Sequence, residues 1–67
     1  MSNTIHPTAI LEGDIRLGTG NVIGPYVVMR GQITIGDNNT FETGACLSNT
    51  VSIGNNNHIY PYATIGG

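Results

Sequence analysis

The feature that most constrains this chain is a large apolar residue at every sixth position. Ile5, Leu11, Leu17, Ile23, Met29, Ile35, Phe41, Leu47, Ile53, Ile59 and Ile65 form an unbroken series. A helix buries one face with a period of about 3.6 residues and an ordinary strand with a period of 2, so neither explains a step of six. A second period, of eighteen, overlies the first. Pro7, Pro25 and Pro61 share one slot, with Thr43 between them. Gly13, Gly31, Asn49 and Gly67 share another, Gly18, Gly36 and Gly54 a third, Gly20, Asn38 and Asn56 a fourth, and Asn21, Asn39 and Asn57 a fifth. The hexads therefore come in three types that recur in order.

Such a pattern predicts a coil with three sides, each a short strand followed by a corner. Successive coils stack at the usual inter-strand distance of about 4.8 Å. Each corner has its own backbone requirement. The Gly/Gly/Asn/Gly slot and the Gly/Asn/Asn slot ask for a positive φ, which glycine adopts freely and asparagine tolerates. The proline slot fixes φ near −65° and removes an N–H donor. The leading residue of each hexad fills the interior. The residue four later also points inward: Ala9, Val27, Ala45 and Ala63 on one side, Ile15, Ile33 and Val51 on the next, and asparagine on the third. Three stacked amides read as a structural hydrogen-bonding ladder. The fold class is thus all-β, a parallel β-helix of hexapeptide repeats. It runs from residue 5 to 67 in about three and a half coils, behind a lead-in of residues 1–4.

Composition narrows the functional classes. Two arginines stand against four acidic residues, with no lysine. That is too little positive charge to neutralise a nucleic-acid backbone. No apolar run reaches membrane-spanning length, and the first ten residues lack the basic start and apolar stretch of a signal peptide, so a cytoplasmic protein without a membrane span is expected. Cys46 is the single cysteine, which excludes an internal disulfide. A stack this short has a small core and two open ends, and association of copies is expected to supply what one chain lacks.

Individual residues offer little chemistry. His6 and His58 are the only histidines. A catalytic imidazole needs an orienting partner and a cleft, and the repeat places neither beside His6. His58 faces outward in the column of Val22 and Thr40. Two histidines fall short of the three that a metal-dependent hydratase of this kind would need, so no metal or cofactor is expected. Cys46 shares an outward column with Ile10, Val28 and Thr64, and no cation beside it would activate the thiol. Tyr26 and Tyr62 fall in the slot of Thr8 and Gly44. Together these two columns read as a packing face. Glu12 and Arg30, eighteen apart, are expected to pair across adjacent coils, and Glu42 to be a solvated rim residue. The glycine-rich strings are not phosphate loops, because no helix follows to present N–H groups. No continuous threonine column exists for ice binding.

With the hexads laid out, the opening IHPTAI and the closing NNNHIYPYATIGG resemble the N-terminal coils of the acyl-ACP:UDP-N-acetylglucosamine O-acyltransferases of lipid A biosynthesis. The resemblance covers Ile5 to Gly67. It implies a left-handed helical sense, a homotrimer, and a protein that uses an acyl carrier protein and a UDP-sugar. In that family a segment with a Q-D-L-K-Y-like motif, the catalytic histidine, the acyl-chain groove and a C-terminal helical domain come later in the chain. No residue here matches the catalytic positions, so no catalytic, cofactor or metal residue is assigned. The expectation is a truncated relative or N-terminal portion, inactive alone. The alternative is a stand-alone structural module forming a minimal trimeric β-helix. A related N-acyltransferase of the same pathway carries an extra domain ahead of its β-helix, which is not expected here.

Overall fold

The computed structural model describes residues 2–66. Among them are eight strands and no helix: β1 (Thr4–Ile5), β2 (Ile10–Leu17), β3 (Val22–Ile23), β4 (Val28–Ile35), β5 (Thr40–Phe41), β6 (Cys46–Ile53), β7 (His58–Ile59) and β8 (Thr64–Gly66). The strands alternate between two all-parallel ladders, β1-β3-β5-β7 and β2-β4-β6-β8. Every registered pair lies eighteen residues apart, as in Ile5 with Ile23, Leu11 with Met29, and Leu47 with Ile65. The chain is therefore a parallel β-helix of about four coils.

One detail differs from a simple picture of one strand per hexad. β2, β4 and β6 each run through a corner and cover two sides of the coil. Along β4, Met29, Ile33 and Ile35 are buried, whereas Arg30, Gly31 and Gln32 are exposed in succession. Strict alternation is interrupted where the backbone turns at Gly31, with φ of 113°. Gly13 and Asn49 hold the same corner at 101° and 68°. Gly20, Asn38 and Asn56 take positive φ at the second expected corner. Gly67 lies outside the described residues.

The third corner holds a surprise. Tyr26, Gly44 and Tyr62 also have positive φ, at 60°, 74° and 59°. Each follows a Pro or Thr, and backbone bonds close the turn from Ala45 N–H to Glu42 carbonyl at 3.2 Å and from Ala63 N–H to Tyr60 carbonyl at 3.3 Å. Proline second and a left-handed residue third is the recipe of a type II turn, which ordinarily places glycine third. Gly44 obeys it. The two tyrosines adopt it at a cost of about 1 kcal/mol each.

The interior is filled as the hexads predict. Ile23, Val27, Met29, Ile33, Ile35, Phe41, Ala45, Leu47 and Val51 form the buried core, with Ala9, Leu11, Ile15, Leu17, Ile53, Ile59 and Ile65 packed against it. Burial is complete only in the middle coils, and Ile5 at the first coil is 44 % exposed.

Asn21 and Asn39 are fully buried, and their amides form the expected ladder. Asn39 Nδ2 donates to Asn21 Oδ1 at 3.1 Å and to the Gly54 carbonyl at 2.8 Å. The Asn39 N–H donates to Asn21 Oδ1 and the Asn57 N–H to Asn39 Oδ1, both at 2.8 Å. Asn3, from the stretch read as a lead-in, heads the column: its Oδ1 accepts from Asn21 N–H and its Nδ2 donates to the Gly18 carbonyl, both at 2.9 Å. No buried side-chain polar atom among the described residues lacks a partner. Replacing Asn39 by alanine would strand the Asn57 N–H and the Gly54 carbonyl. Gly54 and Asn57 are exposed on the last coil, so water offsets part of this loss, and Asn39→Ala is expected to cost about 1–3 kcal/mol. Urea unfolding followed by circular dichroism checks this, and a loss under about 1 kcal/mol would show that water replaces the ladder.

Candidate functional site at the proline corner

The outward residues with chemical character gather at the proline corner. Tyr26, Tyr60 and Tyr62 are 65 %, 68 % and 74 % exposed and are the three most exposed large apolar side chains of the described chain. Residues 60 and 62 flank Pro61 on coil four. Tyr62 lies over the corner above it: a Cβ on Gly44 would come within 2.5 Å of its ring carbons Cδ1 and Cε1. Glycine at position 44 thus leaves room for the ring.

The same corner holds a pairing that column reading missed. His58 Nε2 is hydrogen-bonded to Glu42 Oε2 on the preceding coil. The ring of His58 also meets Tyr60 edge to face, with centroids 4.9 Å apart and planes at 77°. His58 registers directly with Thr40, so Glu42 is its diagonal neighbour two residues on. Such diagonals are within reach of long side chains, and that offset was the available signal. Glu42 is half-buried and paired rather than freely solvated. An ionised carboxylate only accepts, so in this bond Nε2 is the donor. This is the arrangement of a carboxylate-oriented imidazole. Both side chains are roughly half exposed, and no cavity forms around them among the described residues.

His6 sits at the head of the corner. The Thr8 N–H donates to its Nδ1 at 3.2 Å, so this nitrogen is an acceptor. Thr8 Oγ1 lies 2.9 Å from the same atom and accepts from the Tyr26 N–H at 3.0 Å. His6 and Thr8 therefore tie the first coil to the second, a structural use of the residue.

The other candidates fall where the repeat puts them. Cys46 is half-buried and registers with Val28 above and Thr64 below, Ile10 heading the column. Arg30 Nε lies 2.7 Å from Glu12 Oε1 across adjacent coils, with both side chains about 60 % exposed. Arg16 pairs with Asp14 at 3.2 Å, two residues away on the same strand face, a pair the column reading did not anticipate. Exposed pairs of this kind contribute up to about 1 kcal/mol. Among the described residues no group of three or more His, Cys, Asp or Glu is placed to hold a metal ion, and no helix is long and apolar enough to cross a membrane.

The left-handed tyrosines yield a prediction. Tyr26 is largely exposed, so asparagine at this position relieves strain and loses little burial. Tyr26→Asn is expected to raise stability by about 0.5–1 kcal/mol. A loss of more than about 1 kcal/mol in denaturant unfolding would mean that the ring packs onto the coil instead of standing clear of it.

Comparisons with family models, with curated proteins and with solved structures return no match for this chain.

Proposed function

We propose that this chain is the N-terminal β-helix portion, or a truncated relative, of a UDP-N-acetylglucosamine O-acyltransferase of lipid A biosynthesis. In this reading its coils are scaffold. They carry the left-handed helical sense of that family and assemble as a trimer in the cytoplasm. Acyl carrier protein and UDP-sugar are handled outside the residues present here, so the chain is inactive alone. The observation that carries the reading is the closing segment Asn55–Gly66. It resembles the family in its string of residues, and it folds as a coil in register with those before it.

A second reading is a stand-alone assembly module with no enzymatic role. The exposed tyrosines at the proline corner favour it, together with the outward column of Ile10, Val28 and Cys46. Aromatic and aliphatic side chains on an outer face suit a protein interface.

Two measurements test these readings. Sedimentation equilibrium is expected to give three times the 7.0 kDa chain mass. A monomer would remove the trimer from both readings. Replacing the first coils of an active UDP-N-acetylglucosamine O-acyltransferase by residues 3–66 is expected to give a trimeric, active chimera. A chimera that folds and trimerises without transferring acyl groups would favour the assembly module.

A further inference from the structure

We draw no further inference here: the strongest candidate, the exposed aromatic patch of Tyr26, Tyr60 and Tyr62 at the proline corner beside the outward column of Ile10, Val28 and Cys46, is an unpartnered face, and nothing in the structure shows what covers it.

Discussion

The asparagine ladder is the interaction on which the rest of the molecule depends. Asn21 and Asn39 are buried polar side chains in a core otherwise made of isoleucine, valine, leucine, alanine, one methionine and one phenylalanine. Burying an amide is tolerated only when its donors and acceptor are used. Here they hold the corner where a coil closes on itself, and they fix it to the coils on either side. A slip of one residue would take the amide off its corner carbonyl and drive an outward residue into the core. The ladder therefore sets the register that lets every sixth residue fall inside.

Given that register, the other corners become backbone problems with local solutions. Glycine and asparagine turn the chain at the two corners beside Ile15, Ile33 and Val51. At the third corner proline and a left-handed residue make the turn, and two of those residues are tyrosines. Tyrosine at a left-handed position is strained, and the Tyr62 ring lies over Gly44 of the preceding coil.

Much of this was legible because the repeat turns a three-dimensional question into columns. The inward positions, the ladder, two of the three positive-φ corners and the Glu12–Arg30 pair all follow from stepping by six or eighteen. What escaped lies off the columns or against propensity. Nothing in the preferences of tyrosine announces a positive φ at Tyr26 and Tyr62. The His58–Glu42 pair is diagonal, and stacking rules that compare equal positions do not display it. Asn3 was hidden because the apolar series starts two residues after it, although it occupies the slot eighteen before Asn21. The bent strands β2, β4 and β6 escaped because a glycine or asparagine corner can turn the chain without interrupting the ladder.

The fixed offset has a consequence for how the chain reaches this structure. Ladder bonds join residues fifteen or eighteen apart and none that are far apart in sequence. Each added coil closes a loop of about the same length, so the entropic toll of closure is nearly constant along the axis. Only the first pair of coils must form without a template. Phe41, Met29 and Leu47 belong to the fully buried centre, which makes the second and third coils the natural nucleus. Growth then proceeds toward both ends, as in other linear repeat proteins.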